Sequence, residues 1–115
     1  MVWGIPFDSS VSNRPGARFG PSAIRRAAAI FDGDPQYPFG FDPFADLAVV
    51  DYGDCSYDYS RPMAFAAAAE EQASAILSSG AHLFTLGGDH FCTYPLLKAH
   101  AARHALGEAA GKHVQ

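Results

Sequence analysis

The chain has 115 residues, a formal net charge of −4, and 49% hydrophobic against 17% charged residues. This is enough apolar material for one folded domain and excludes a disordered tail. The eight Lys and Arg residues are scattered, so we expect no nucleic-acid partner. There is no apolar run of about 18 residues and no basic leader, which predicts no membrane partner and no signal peptide. Cys55 and Cys92 lack the spacing of a zinc clip, so a cytoplasmic location is predicted.

Three short apolar runs, each followed by a helical pattern, predict alternating strands and helices. The strands are predicted at residues 2–7, 47–52 and 82–86. The helices are predicted at residues 21–31, 62–79 and 94–106, and residues 32–46 are predicted to be an ordered surface loop. This order is typical of an α/β fold with a parallel sheet and right-handed crossovers.

Periodicity and end signals refine the three helices. The apolar face of the first helix is predicted to comprise Ile24, Ala27, Ala28 and Phe31. The buried stripe of the second is predicted to comprise Phe65, Ala69, Ala73, Ile76 and Leu77. Ser60 and Thr93 are predicted N-caps, and Gly80 is predicted to end the second helix.

Ligands of open parallel sheets bind at the carboxyl ends of the strands, which directs attention to residues 8–20, 53–60 and 87–90. The segment Leu86-Gly87-Gly88-Asp89-His90 combines a sharp glycine turn with an imidazole beside a carboxylate. Such a pair suits a metal ligand with a supporting carboxylate, and it equally suits a capped turn with a surface histidine.

Residues 12–21 carry Arg14 and Arg18 in a loop that leads into a helix. The loop could hold an anion at the helix N-terminus, but arginines paired with neighbouring acids are the favoured interpretation. Asp51 and Asp54 follow the second strand and suit either a hard metal ion or a turn paired with arginine, and the latter is favoured.

The remaining reactive side chains receive no role from the sequence. Cys55 has no base near it in sequence, so it is not expected to be a nucleophile. His100 and His104 are four residues apart, but Ala101 stands where a zinc-protease motif needs Glu, so a solvated helix face is predicted. His82 begins the third predicted strand, at the edge of the sheet opposite the carboxyl ends, and His113 lies in the C-terminal tail.

Four segments in this order resemble the N-terminal third of the ureohydrolase (arginase/agmatinase) family. They are Gly4-Ile5-Pro6-Phe7-Asp8, residues 12–25, Asp51-Tyr52-Gly53-Asp54 and Leu86-Gly87-Gly88-Asp89-His90. The resemblance implies a three-layer α/β/α fold with an eight-stranded parallel sheet, of which this chain holds the first three βα units. Residues 1–115 would then be the incomplete N-terminal part of one domain, and the full-length protein a homo-oligomer.

The resemblance also implies a reaction, in which two Mn²⁺ ions bridged by hydroxide hydrolyse a guanidino compound, most simply agmatine to putrescine and urea. His90 matches the family's first metal ligand, Asp89 is a supporting candidate, and Asn13, Arg14 and Arg18 are candidates in the substrate loop. The family's other ligands lie in an Asp-Ala-His-x-Asp and an Asp-x-Asp segment, which this sequence lacks. The chain alone is therefore predicted neither to bind the metal pair nor to hydrolyse agmatine.

Two alternatives stay open at this point. The substrate could be another guanidino acid, such as guanidinobutyrate, because related enzymes share these N-terminal motifs. The chain could instead be a non-catalytic α/β module that binds a partner. As a fragment of a longer enzyme, the isolated chain is predicted to fold poorly or aggregate, because it has an unpaired strand edge and uncovered apolar faces, whereas a stand-alone module is predicted to be soluble and to unfold cooperatively.

Overall fold

The structure, a computed structural model, describes residues 1–30 and 33–111. Its strands are β1 (Val2–Gly4), β2 (Asp51–Asp54) and β3 (Phe84–Leu86). Its α-helices are α1 (Gly20–Ala28), α2 (Pro43–Asp46), α3 (Phe65–Ser78) and α4 (Thr93–Gly111). Short 3-10 helices at Ala17–Phe19, Pro62–Ala64 and His90–Cys92 lead into α1, α3 and α4. None of these helices combines the length and the apolar content needed to cross a bilayer.

The three strands form one parallel sheet with the order β2-β1-β3. Val2 pairs with Asp51 of β2 and with Phe84 of β3, and the register toward β2 shifts before Gly4 pairs with Asp54. Helices occupy both connections between the strands, α1 and α2 in the first and α3 in the second. The parallel sheet and the alternation of strands and helices predicted from the sequence are confirmed.

The strands are shorter than predicted, and the backbone explains two of the differences. The Ile5 amide still donates to the Leu86 carbonyl at 2.8 Å, but the next residue, Pro6, has no N–H to continue the ladder beyond β1. Leu47, the first residue of the predicted second strand, instead caps α2 by donating its amide to the Pro43 carbonyl at 2.9 Å, and residues 48–50 belong to no helix or strand. β2 therefore begins at Asp51 rather than residue 47.

Helices lie on both faces of the sheet, as the three-layer arrangement requires. On one face Trp3 and Ile5 are fully buried in a core shared with α3 and α4. Phe7, just after β1, stacks on Phe65 of α3 with ring centroids 3.9 Å apart. The predicted buried stripe of α3 is confirmed in full: Phe65, Ala69, Ala73, Ile76 and Leu77.

The opposite face holds the start of α1, and a glycine makes this close approach possible. A Cβ added to Gly4 would lie 2.9 Å from Cβ of Pro21 and would overlap the Asp54 carboxylate. Pro21 is accordingly the one buried residue of α1. Glycine at position 4 thus lets the first turn of α1 and the end of β2 meet over the central strand.

The predicted apolar face of α1 is not buried. Ile24 is 48% exposed, and Ala27 and Ala28 are exposed as well, while the fourth predicted member, Phe31, lies outside the described residues. The helix contacts the sheet through Pro21 and the side chain of Arg25, so in the described part of the chain nothing covers its apolar side. Tyr52 and Phe84 on the outer strands are also more than half exposed. The predicted aggregation of the isolated chain stays a prediction.

Two predicted helix N-caps, Ser60 and Thr93, are not the caps in the structure. The Ser60 hydroxyl donates to Asp58 at 2.6 Å, so Ser60 is not the predicted cap, and α3 is entered through a 3-10 turn instead. Thr93 lies inside its helix, because Asp89 caps the preceding 3-10 turn. The end of α3 was predicted correctly: Gly80, with φ of +83°, donates its amide to the Leu77 carbonyl at 3.1 Å. Residues 33–46 include α2 in addition to the predicted loop.

Candidate functional site

A cleft at the carboxyl edge of the sheet brings together residues that are far apart in sequence. It measures about 340 Å³ and lies between the loop after β1 and the turn after β3. The side chains and backbone that line it are those of Ser10, Val11, Ser12, Asn13, Arg14, Gly88, Asp89 and His90. Four of the five candidates named from the sequence therefore share one cleft, and Arg18 does not line it.

His90 lies at the rim and also lines a second cleft. This neighbouring cleft, of about 300 Å³, extends along the start of α4 and is lined by Thr85, Thr93 and Leu96 among others. The His90 residue is exposed, and in residues 1–30 and 33–111 no hydrogen bond or ion pair engages its imidazole. The imidazole is thus available to an incoming ligand from either cleft.

The turn before His90 is fixed by close backbone packing. A Cβ added to Gly88 would lie 2.7 Å from the Ile5 carbonyl oxygen and closer still to that of Phe7. The Asp89 amide donates to the Phe7 carbonyl at 3.0 Å. Glycine at position 88 therefore lets the chain leave β3 against the backbone of the central strand, and this sets where His90 emerges.

The Asp89 carboxylate connects the two sides of the cleft. One oxygen accepts a hydrogen bond from the Ser10 amide at 2.9 Å, and the other accepts one from the Phe91 amide at 3.0 Å. The first bond holds the loop after β1, and the second caps the 3-10 turn that carries His90. Both oxygens are committed to backbone donors, so Asp89 acts as a brace beside His90.

Arg18 is drawn away from the cleft by Asp8. Its guanidinium lies 2.8 Å from the Asp8 carboxylate, which is 3% exposed. Asp8 also accepts hydrogen bonds from the Gly16 amide at 2.6 Å and the Arg18 amide at 3.2 Å. The hydrogen bond from the Arg18 side chain is the main cause that holds the pKa of Asp8 below its usual range, against the opposing effect of burial. For Arg18, the favoured interpretation of arginine–acid pairing is confirmed.

Asp51 and Asp54 are also occupied by an arginine. Arg25 of α1 makes a two-pronged contact with Asp51 at 2.8 and 2.9 Å, and its guanidinium also reaches Asp54 and the Gly53 carbonyl. Hydrogen bonding from Arg25 is the main cause that lowers the pKa of the Asp51 carboxyl. The arginine-pairing interpretation of these two acids is confirmed, and the cluster joins α1 to β2.

Removal of this cluster is expected to destabilise the fold. Arg25→Ala should lower the free energy of unfolding by about 1–2 kcal/mol, because a forked ion pair is lost at a site of intermediate exposure. Arg25 lowers the pKa of Asp51 below its ordinary value of 3.8, so its contribution to stability is lost as the pH falls and Asp51 becomes protonated. The difference in the free energy of unfolding between Arg25→Ala and wild type should therefore shrink below pH 3.8.

Chemical denaturation of the whole protein at pH 7 and pH 3 measures both effects of Arg25→Ala. The matched control is Arg26→Ala, since Arg26 bonds to Ser22 within its own helix, and this variant should change stability by less than about 0.5 kcal/mol. Equal losses in the two variants would show that the contacts of Arg25 add nothing to stability.

The remaining cysteine and histidine side chains lie in places that give them no evident chemical role. Burial raises the pKa of the Cys55 thiol to about 12, which keeps it protonated and agrees with the expectation that it is no nucleophile. His100 and His104 lie on the exposed face of α4, as predicted, and His104 approaches Glu108 at 3.8 Å. His113 lies outside the described residues.

A larger cavity elsewhere carries little chemistry. It measures about 430 Å³ and is lined by Gly33, Gln36, Asp42, Pro43 and Phe44. Among the described residues that line it, the one carboxylate is that of Asp42, which caps α2 by accepting a hydrogen bond from the Phe44 amide at 2.9 Å. We therefore place the candidate site at His90 rather than in this cavity.

One structural residue of the site, Asp8, was missed by the sequence analysis. Its position directly after an apolar run and ten residues before Arg18 was a usable signal, because strand ends in parallel sheets converge. In the described part of the chain, no three His, Cys, Asp or Glu side chains converge in a group that could hold a metal ion. Within those residues His90 is therefore not part of a complete set of metal ligands.

Comparisons with known proteins agree with this geometry. A model of the arginase family matches residues 1–113. An agmatinase from Chromobacterium violaceum is 54% identical over 103 residues, which are 90% of this chain and 32% of that protein. An agmatinase from Neisseria meningitidis is 43% identical over 102 residues, covering 88% of this chain and 33% of that protein. The chain spans about a third of the length of the curated relatives it matches.

Solved structures give the same result. A hypothetical agmatinase from Burkholderia thailandensis superposes with a TM-score of 0.84 and 52% identity over 89% of this chain and 33% of its own. A proclavaminate amidino hydrolase from Streptomyces clavuligerus superposes with a TM-score of 0.78 and 33% identity, covering 89% of this chain and 34% of its own. The partial α/β fold is therefore that of these enzymes.

Proposed function

Because the chain belongs to the arginase family, we propose that the whole protein that carries it is an amidinohydrolase, which releases urea from a small guanidino compound. The observation that carries this proposal is the match to the agmatinase from Chromobacterium violaceum, at 54% identity over 90% of the chain. The cleft that joins His90 to the loop after β1 supplies a place for the reaction at the carboxyl edge of the sheet.

The substrate that we propose is agmatine, with putrescine and urea as products. Several relatives from different genera carry the name agmatinase, whereas the proclavaminate enzyme is less similar to this chain. A guanidinium carbon is a weak electrophile because its positive charge is delocalised, so the reaction needs a strong nucleophile and a stabilised tetrahedral centre. Cytoplasmic location and homo-oligomeric assembly stay predictions.

Manganese is the cofactor that we propose, with His90 as one of its ligands. The imidazole is exposed at the cleft rim, and Asp89 holds the turn from which it emerges. Manganese prefers about six donors, mostly oxygen and nitrogen, so His90 fits one position and does not complete a site. Bound manganese would supply Lewis-acid activation of water near neutral pH.

The residues of this chain have the following proposed tasks. His90 would hold the metal through its imidazole, and Asp89 braces the backbone on both sides of the cleft. Asn13 and Arg14 lie across the same cleft and are the candidates for contact with the substrate. Residues 1–115 would form one part of a single ureohydrolase domain.

Urea release by the purified whole protein tests the proposal. Loaded with Mn²⁺, it is expected to hydrolyse agmatine with a kcat/KM at least about tenfold above that for guanidinobutyrate or guanidinopropionate. A single contact between a pocket and one group of the substrate is enough for discrimination of this size. Removal of metal with a chelator should abolish the activity, and Mn²⁺ should restore it. A preference for guanidinobutyrate would show that agmatine is not the substrate. Failure to release urea from any of the three compounds would overturn the proposed function.

A further inference from the structure

We infer that Asp8 is a positioning residue for the candidate substrate loop, and that Arg18 acts through Asp8 rather than by touching the substrate. This inference rests on the proposed function. It assigns a role to a residue that the sequence analysis left without one. It also replaces the substrate-loop role that the family resemblance implies for Arg18.

The first step is the burial of Asp8. Its side chain is almost completely enclosed, while its partner Arg18 has a side chain that is 51% exposed. A buried carboxylate is costly unless it is paired and hydrogen-bonded, and Asp8 has three partners: hydrogen bonds from the Gly16 amide and the Arg18 amide, and an ion pair with the Arg18 guanidinium. Two of the three come from the backbone, so Asp8 fixes the path of the chain and not merely one side chain.

The second step is the shape of the loop at Gly16. Gly16 has a φ of +132°, a conformation that residues with a side chain rarely adopt. A Cβ built there would meet nothing within 4 Å, so glycine is needed for conformation and not for space. The amide of this residue makes the shorter of the two backbone hydrogen bonds to Asp8, at 2.6 Å. The carboxylate therefore holds the loop where its backbone takes its least common conformation.

The third step is that the loop is held at two points with the candidate contacts between them. Asp89 holds Ser10 at one end, and Asp8 holds Gly16 at the other. Asn13 and Arg14 lie between these clamps, and both line the cleft with His90. Within the part of the chain that the structure describes, residues 11–15 make no hydrogen bond of their own. Their placement beside His90 therefore depends on the two carboxylates.

This arrangement predicts different effects for substitutions of Asp8 and Arg18. Loss of the Asp8 charge weakens the hydrogen bonds from both backbone amides, because a neutral amide oxygen is a poorer acceptor than a carboxylate oxygen, so one of the two clamps on the segment with Asn13 and Arg14 is loosened. Loss of the Arg18 side chain leaves both backbone hydrogen bonds to Asp8 in place. If Arg18 touched the substrate, the order of the two effects would be reversed.

The experiment compares Asp8→Asn, Arg18→Ala and Asp46→Asn in the Mn²⁺-loaded whole protein, with urea release from agmatine as the readout. Asp46 is an exposed control, since the structure gives its carboxylate no partner in the described residues. Asp8→Asn is expected to raise KM about tenfold with little change in kcat, because a displaced loop weakens binding rather than chemistry. Arg18→Ala is expected to keep a KM within about threefold of the wild-type value. Asp46→Asn is expected to have the same KM and kcat as wild type.

A loss in Arg18→Ala equal to or larger than that in Asp8→Asn would overturn the inference. So would an unchanged KM in Asp8→Asn with a lower melting temperature, which is the result of a purely structural role. If Asp8→Asn does not fold, Gly16→Ala replaces it, because it disturbs the same clamp through backbone conformation. Gly16→Ala should then show the same rise in KM, and a wild-type KM would count against the clamp.

Amide hydrogen exchange separates this inference from the proposed function. In Asp8→Asn the amides of Gly16 and Arg18 should exchange faster than in wild type, and in Asp46→Asn they should not. Unchanged exchange in Asp8→Asn overturns the clamp whether or not the protein is an amidinohydrolase. Faster exchange in a protein that releases no urea from any guanidino compound keeps the clamp and rejects the function.

Discussion

His90→Ala is expected to abolish urea release by the whole protein, with a loss in kcat/KM greater than about 100-fold. Removal of a group that merely supports a metal ligand costs about 10–100-fold in affinity or activity, so removal of a ligand itself should cost more. The imidazole is exposed at the junction of two clefts, and no hydrogen bond in the described residues diverts it. Bound manganese, measured by elemental analysis, should fall together with the activity.

His100→Ala is the matched control for His90→Ala. His100 is also exposed and belongs to the helix that His90 leads into, but it lies on the outer face of α4, away from both clefts. Its replacement should leave urea release and manganese content unchanged. If His90→Ala kept both its activity and its metal, the assignment of His90 as a ligand would be wrong even if the protein were an amidinohydrolase.

The contrast between α3 and α1 shows what an apolar pattern can predict. The stripe of α3 is buried because the sheet and α4, which cover it, are both within the described residues. The pattern on α1 is as regular, yet Ile24 is half exposed, because in the same residues nothing packs against it. Periodicity identifies which side of a helix is apolar, but burial depends on a second surface that the pattern does not contain.

In the candidate site, too, the sequence predicts which residues lie at one edge of the sheet but not which of them contact each other. Asn13, Arg14 and His90 could be placed at one edge from the sequence, because parallel strands direct their carboxyl ends to the same side. The same rule places Asp8, directly after the first predicted strand, at this edge, but it does not show that Asp8 binds the backbone amides of the loop as well as Arg18. Asp8 is selected by backbone amides that converge on it only after Gly16 adopts its positive φ.

The helix starts show a related limit. Thr93 and Asp89 are both good capping residues, and the sequence offers no rule that favours one over the other. In the structure a 3-10 turn precedes α4, so the cap moves to Asp89, whose carboxylate accepts from the Phe91 amide. The same carboxylate also holds Ser10, and this long-range contact is what the sequence does not reveal.

Gly88→Ala is expected to have the largest effect on stability, a loss of about 3 kcal/mol, at the upper end for forcing an extra group into a packed interior. The added methyl group would meet the carbonyl oxygens of Ile5 and Phe7. Both are backbone atoms of the segment that contains the central strand, so no rotation of a side chain can relieve the overlap. The end of β3 must then move away, which also weakens the 3.0 Å hydrogen bond from the Asp89 amide to Phe7.

The neighbouring glycine provides the control for this prediction. A Cβ at Gly87 would meet nothing within 4 Å, so Gly87→Ala should change stability by less than about 1 kcal/mol. Thermal melting of the whole protein compares the two variants directly. Because a displacement of about 1 Å in a reactive group can cost 100-fold in rate, Gly88→Ala should also reduce urea release in whatever protein remains folded. Equal melting temperatures for the two variants would mean that the turn can shift freely, and that the backbone contact at Gly88 does not determine where His90 lies.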